Sequence, residues 1–231
     1  MKYSIVIPAY NEELRIKNTL IKYCKEFRNS EIIVVSNGSI DNTTKIVECM
    51  KRDLSQIKLL EFSNALGKGG AIIEGFKVAK GSIIGFVDSD DSFDIKGIKK
   101  IINYVEQDKC DCAIASKWKN RSFREVNEPF FRKSASRIWN IIVRILFGFK
   151  IYDTQAGLKF MKAKVVKKIL NKLTCNGFEF DVELLWIIKN SGFSIKEFFI
   201  SSIHRENSTF KMKNSIGMLI NIIKVRLSGI K

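Results

Sequence analysis

Residues 83–90 read Ile83-Ile84-Gly85-Phe86-Val87-Asp88-Ser89-Asp90. The apolar run is short, rich in β-branched residues and bounded by Gly81 and the acidic cluster. It predicts a buried strand that ends by presenting two carboxylates at a sheet edge. Aspartates two apart on an extended segment lie on the same face. At a strand end the chain turns, and both carboxylates can converge on a hard cation and the phosphate it carries. A solvated Asp-Ser turn is the other reading of this tripeptide alone, so the rest of the chain has to decide.

Working outward, strand patterns near 3–8, 31–36, 57–62 and 111–116 accompany the one at 83–88, and helical patterns near 12–28, 41–54, 69–80 and 94–107 alternate with them. This rhythm predicts an α/β fold, a mostly parallel sheet with helices on both faces. Ligands of such sheets bind beyond the carboxyl ends of the strands. Pro8-Ala9-Tyr10-Asn11-Glu12, Ser36-Asn37-Gly38-Ser39 and Asp88-Ser89-Asp90 all fall at such ends, so three polar segments are expected around one crevice. Ahead of the strand at 83, Asn64-Ala65-Leu66-Gly67-Lys68-Gly69-Gly70 carries glycines that would let backbone amides approach an anion at a helix start. Walker spacing and a GKS or GKT ending are absent.

A chain of 231 residues with 2 Pro and no low-complexity stretch gives no sign of a linker, so one domain over 1–231 is expected. Its halves differ: 1–116 carries the regular alternation, 117–212 is less regular, and 213–231 reads as an amphipathic helix. The five cysteines are odd in number and scattered. Cys110 and Cys112 are too close for zinc spacing and suit a buried strand in a reduced protein. Met1 leads straight into a strand pattern without the features of a signal peptide, which predicts a cytoplasmic protein. Forty Lys+Arg against 24 Asp+Glu give a net charge of +16, which favours an anionic partner such as nucleic acid, a membrane surface or a phosphorylated substrate. Lysine-rich composition bias is the alternative source of that excess.

Residues 130–149 place Ile138, Ile141, Ile142, Ile145 and Leu146 on one helical face, interrupted by Arg132, Lys133, Arg137 and Arg144. Each cation would cost about 2.5–3.5 kcal/mol at a bilayer centre, which argues against a spanning helix. An interfacial helix and a helix packed on the protein's own core both remain open. Ile216, Leu219, Ile220, Ile223 and Leu227 repeat the pattern beside Lys213, Lys224, Arg226 and Lys231.

Taken in order, Val6-Ile7-Pro8-Ala9-Tyr10-Asn11-Glu12, Gly38-Ser39-Ile40-Asp41-Asn42-Thr43, Asn64…Gly67-Lys68-Gly69 and Asp88-Ser89-Asp90 resemble family 2 glycosyltransferases of the GT-A fold. The later segments Asp153-Thr154-Gln155-Ala156-Gly157-Leu158-Lys159 and Phe178-Glu179-Phe180-Asp181-Val182-Glu183-Leu184 resemble the branch of dolichyl-phosphate mannose synthases and dolichyl-phosphate β-glucosyltransferases. The resemblance implies transfer of a hexose or N-acetylhexosamine from a UDP- or GDP-sugar to dolichyl or another polyprenyl phosphate, with inversion, for protein or cell-surface glycosylation. It implies a donor site at Pro8, Tyr10, Glu12, Asn37, Asn64, Lys68 and Asp88, and Mg²⁺ or Mn²⁺ at Asp88 and Asp90. Lys117, Arg132 and Arg205 are implied as acceptor-phosphate ligands. Asp90, Asp153, Gln155, Asp181, Arg132 and Arg205 are implied at the chemistry. Glu183 has a structural and a catalytic reading. His204 is kept out of the metal site.

Such an enzyme would work on the cytoplasmic face of a membrane, peripherally on its anionic surface, with room for a membrane subunit and with no nucleic acid as partner. Three departures stand out. Ser36-Asn37 replaces the usual Asp-Asp, Lys117 stands where Arg is common and loses its bidentate fork, and Ser92 stands where some mannose synthases carry a metal-binding Gln. An ionised acceptor phosphate needs placement more than a base. If the acceptor is instead a lipid-linked or free saccharide, Asp181 is the expected base. A basic nucleic-acid-binding module would need aromatics clustered among the cations, whereas most Phe here fall in core patterns.

Overall fold

The computed structural model describes residues 1–126, 128–201 and 215–227. In chain order they form β1 (Tyr3–Ala9), α1 (Ile16–Glu26), β2 (Ser30–Asn37), α2 (Thr43–Asp53), β3 (Ile57–Phe62), α3 (Gly67–Val78), β4 (Ile83–Val87) and α4 (Ile95–Glu106). Then follow β5 (Cys112–Ser116), α5 (Phe130–Phe147), β6 (Leu158–Lys162), α6 (Ala163–Ile169), α7 (Phe180–Asn190), β7 (Ile195–Phe199) and α8 (Ser215–Leu227). Arg205, His204 and Lys213 lie outside the described residues, so the roles expected of the first two are left without a structural account.

The sheet runs β3-β2-β1-β4-β6-β5-β7. Every neighbouring pair is parallel except those of β6, which runs antiparallel to both β4 and β5. Strand order reverses at β1 and β4, and the carboxyl ends of these two neighbours open the crevice in which sheets of this kind take ligands.

Alternation along the strands explains the two layers. Ile5, Ile7, Ile32 and Val34 face a core shared with α1, α2 and α4, while Val6, Ile33, Val35 and Phe86 face a core shared with α3, α6, α7, α5 and α8. Burial on both faces is why the strands read as continuous apolar runs. α4 starts where the Asp94 carboxylate accepts the Gly97 amide at 2.6 Å, the side-chain cap its sequence provides. Cys110 and Cys112 are buried and free.

Candidate active site

The carboxyl ends of β1, β2 and β4 form the floor of the site. The loops after β1 and β2 are stitched together: the Asn11 amide donates to Ser39 Oγ (3.2 Å), the Ile40 amide to Asn11 Oδ1 (2.9 Å) and the Glu13 amide to Asp41 Oδ2 (3.1 Å). Pro8 is half-buried and the Tyr10 ring is exposed at the rim. Glu12 is buried. Burial pushes its carboxyl above the ordinary range, opposed by the Arg15 guanidinium at 2.8 Å, and the nearby Asp90 charge pushes it further up.

Asn37 and the glycine-rich segment hold each other. The Asn37 carboxamide donates to the Gly67 carbonyl (3.1 Å) and accepts the Leu66 amide (2.6 Å), so both its ends are engaged by the loop that opens α3. Gly67 has φ +80°, a backbone that favours glycine. The anion cradle expected of these glycines is corrected by the structure. The Gly69 and Gly70 amides donate to the Gly177 and Asn176 carbonyls at 3.3 and 3.2 Å. A Cβ on Gly69 would sit 2.4 Å from the Cys175 carbonyl oxygen. The glycines let α3 approach the 175–177 loop, and these two amides serve the protein's own carbonyls. Asn64 is exposed at the loop's edge.

Lys68 points from α3 into the crevice. Its ammonium lies 2.9 Å from Asp88 Oδ1 and 3.4 Å from Asp181 Oδ2. Asp181, buried in the first turn of α7, is paired on its other oxygen with Lys159 at 2.5 Å. Lys159 is fully buried on β6 and also donates to the Ala156 carbonyl at 2.7 Å. Charges thus alternate Lys159, Asp181, Lys68, Asp88 from the interior to the crevice, and the Phe86 ring lies 5.3 and 5.6 Å from the two ammonium groups. Burial lowers the affinity of Lys68 for its proton, but Asp181 and Asp88 more than reverse this and raise its pKa. Burial raises the Asp88 pKa against the pull of Lys68, and the Asp90 charge adds to the rise.

The 153–157 turn is fixed at every step. Asp153 accepts the Lys117 amide (3.1 Å), and its own amide donates to Glu197 Oε1 (2.7 Å). Thr154 donates twice to Asn140 Oδ1 of α5 (3.0 and 3.2 Å). Gln155 donates to the Phe178 carbonyl (3.4 Å), and the Asp88 amide donates to the Gly157 carbonyl (2.9 Å). A Cβ on Gly157 would fall 1.7 Å from Asp88 Oδ2, so the turn can lie against that carboxylate only with glycine there. Glu197, held by the Tyr152 and Asp153 amides, has its pKa raised by burial despite them.

The structure therefore brings Asp88, Lys68 and Asp181 together, with the Asp90 charge acting on both Asp88 and Glu12, and it fixes Asp153 and Gln155 on the turn whose Gly157 lies against Asp88. Asp88 keeps 32% of its side-chain surface, and Asp90 is half-buried, accepting the Ser92 amide at 3.0 Å. An all-oxygen pair on a turn suits a hard cation. Among the described residues no three His, Cys, Asp or Glu come together to hold a metal, so a cation there would complete its shell with phosphate and water, as Mg²⁺ ordinarily does. Lys117 has a partner that the sequence did not announce: both Glu128 oxygens lie 2.9 Å from its ammonium. Arg132 is exposed in the first turn of α5. Glu183 is structural, because its carboxylate accepts the Thr174 and Cys175 amides (3.0 and 2.8 Å) and the Thr174 hydroxyl (2.6 Å).

Sequence reasoning passed over Lys159, Asn140 and Glu197. A signal existed for the first: a lysine inside the apolar strand Leu158-Lys159-Phe160-Met161 must be buried with an acid.

The sequence matches the family model described as glycosyl transferase family 2 over residues 4–170. Glycosyltransferase AglD of Haloferax volcanii is 27% identical over 204 residues, 86% of this chain, which spans only 32% of that protein's length. The dolichyl-phosphate beta-glucosyltransferase of Dictyostelium discoideum is 28% identical over 239 residues, covering 96% of this chain and 73% of that protein. The crystal structure of glucosyl-3-phosphoglycerate synthase from Mycobacterium tuberculosis with Mn²⁺, uridine diphosphate and glucosyl-3-phosphoglycerate superposes with a TM-score of 0.67 at 18% identity, covering 98% of this chain and 79% of that one. It shares the fold.

Proposed function

The chain belongs to glycosyl transferase family 2, and on that premise we propose that it transfers a sugar from a nucleotide sugar to a polyprenyl phosphate of the dolichyl type, with inversion at the anomeric carbon. The observation that carries the choice of acceptor is the state of Asp181. A saccharide hydroxyl is a poor nucleophile near neutral pH and needs a base, yet the Asp181 carboxylate is buried and shared between Lys159 and Lys68. Each of its oxygens already faces an ammonium group, so neither stands open to an incoming hydroxyl. A phosphate acceptor needs none, because its oxygen arrives ionised and the protein has only to place it.

In this reading Asp88 and Asp90 would hold Mg²⁺ or Mn²⁺, which would supply neutralisation of the departing nucleoside diphosphate. Lys68, paired with Asp88, would bring a second positive charge to the donor diphosphate. Asp153 and Gln155 flank the donor sugar from a turn that cannot drift, and Lys117 with Arg132 receives the acceptor phosphate. Glu128 then has to yield its place on Lys117 to the incoming anion. A uridine diphosphate donor is the first to try, given the uridine diphosphate held by the structural neighbour of Mycobacterium tuberculosis.

The test offers UDP- and GDP-sugars with polyprenyl phosphate and Mg²⁺ or Mn²⁺ and identifies the labelled lipid. Transfer to the lipid phosphate, lost with chelator and in Asp90→Ala, is expected. Lys117→Met and Arg132→Met should raise the acceptor KM more than Asp181→Asn does. Transfer to saccharides alone, with Asp181→Asn the most damaging change, would overturn the proposal.

A further inference from the structure

The lysine expected to receive the acceptor phosphate already holds an anion, supplied by the chain itself. Lys117 follows β5, and its amide is tied to Asp153 at 3.1 Å, on the turn whose Gly157 lies against Asp88. Both Glu128 oxygens lie 2.9 Å from the Lys117 ammonium, and the two side chains keep only 11% and 21% of their surface. The Trp118 ring lies 5.9 Å from the same ammonium. An incoming anion reaches Lys117 by taking the carboxylate's place.

The segment between β5 and α5 is built to deliver this carboxylate. Trp118 is buried, its Nε1 donates to Ser136 Oγ at 3.1 Å, and the Arg137 guanidinium lies 5.0 Å from its ring. Phe123 stacks on Trp118 with centroids 6.2 Å apart. The Val126 carbonyl accepts the Lys133 ammonium and the Glu128 amide, each at 3.1 Å. Pro129, which caps α5, disfavours a helical backbone at Glu128. Glu128 is thus held from both sides against α5. A carboxylate presented in this way competes at an effective concentration of about millimolar or higher.

We propose that Glu128 sets the threshold of the acceptor site: it is the resident counter-anion of Lys117, and a phosphate displaces it to a useful extent only with a second hold on the protein. The penalty is the same for every anion, because the apparent Kd is the intrinsic one divided by the fraction of molecules in which Lys117 is uncovered. Inorganic phosphate and small soluble esters, whose binding ends at the phosphate, stay largely unbound. A phosphate on an apolar chain gains roughly fourfold for each methylene buried and overcomes the same penalty. Glu128 acts through Lys117 and is a positioning residue. The proposal rests on the placement of the acceptor phosphate at Lys117.

Titration calorimetry with inorganic phosphate and with geranyl phosphate measures it without donor or turnover. Glu128→Gln should tighten both by the same factor, about fivefold. Glu125→Gln makes the same change of charge in the same segment, where Glu125 pairs with Arg121 at 3.0 Å, and should alter neither affinity by more than about twofold. Adding Lys117→Met to Glu128→Gln should abolish the gain. In transfer, Glu128→Gln should lower the acceptor KM by the same factor with kcat within about twofold of wild type; loss of a merely structural pair would raise KM. Unchanged or weaker phosphate binding in Glu128→Gln, an equal gain in Glu125→Gln, or a gain that survives Lys117→Met would overturn the proposal. This binding pattern without any transfer to lipid phosphate would sink the transferase reading alone.

Discussion

Lys159→Met removes one charge from the interior and little volume. The wild-type ammonium makes two contacts, 2.5 Å to Asp181 Oδ1 and 2.7 Å to the Ala156 carbonyl, from a fully buried side chain. The methionine variant leaves Asp181 with Lys68 alone, at 3.4 Å. Breaking a buried pair from one side costs about 3–5 kcal/mol, because the remaining charge stays buried without its compensation. For a chain of this size each kcal/mol is worth roughly 2–4 °C, so Tm should fall by about 6–20 °C. Urea unfolding at pH 7, followed by circular dichroism, measures the loss, and the double variant Lys159→Met/Asp181→Leu provides the cycle. Removing both charges should restore most of the lost stability, giving a coupling of about 2 kcal/mol or more, while transfer activity stays low. A loss below about 1 kcal/mol for Lys159→Met, or simple additivity in the cycle, would refute the view that the four alternating charges act as a unit.

Gly157→Ala should reduce kcat at least tenfold, since its Cβ would meet Asp88 Oδ2 at 1.7 Å and one of the two must move; a kcat within twofold of wild type would contradict this. Asn37→Ala should cost about 1–3 kcal/mol in denaturant, by leaving the Leu66 amide and Gly67 carbonyl unpaired, and should raise the donor KM severalfold. A pH effect is expected at Glu31, remote from the site. Burial pushes its carboxyl up, but Lys58, the Ser4 hydroxyl and the Lys80 amide outweigh it and hold the pKa below the ordinary value. The unfolded chain takes up this proton first, so the stabilisation is complete above the unfolded value of about 4.3 and is lost as pH falls through the lower folded value. Thermal scans between pH 7 and pH 3 should show Glu31→Gln with a shallower acid slope than wild type.

Local pattern accounts for what could be read in advance. β4 and the position of Asp88 and Asp90 at its end were legible because burial on both faces writes a strand as a continuous apolar run and an acid cluster breaks it. The amphipathic helix at α5 was equally legible, since 3.6-residue periodicity needs no knowledge of the partner. The glycines after β3 signalled close backbone approach but not to what; they meet residues 175–177, a contact between distant segments that spacing does not encode.

By itself the sequence determined the alternating strands and helices, the polar strand ends, the acidic pair and the excess of positive charge, because each is a property of neighbouring residues. Only the tertiary structure decided that β6 inserts antiparallel between β4 and β5, carrying Lys159 inward to Asp181. It alone decided that Lys68 joins Asp181 to Asp88 and that Glu128 occupies Lys117. These are pairings of buried or half-buried charges from separate elements. Each is favoured where the sheet excludes water and brings its partner within about 3 Å, a condition no single segment can state.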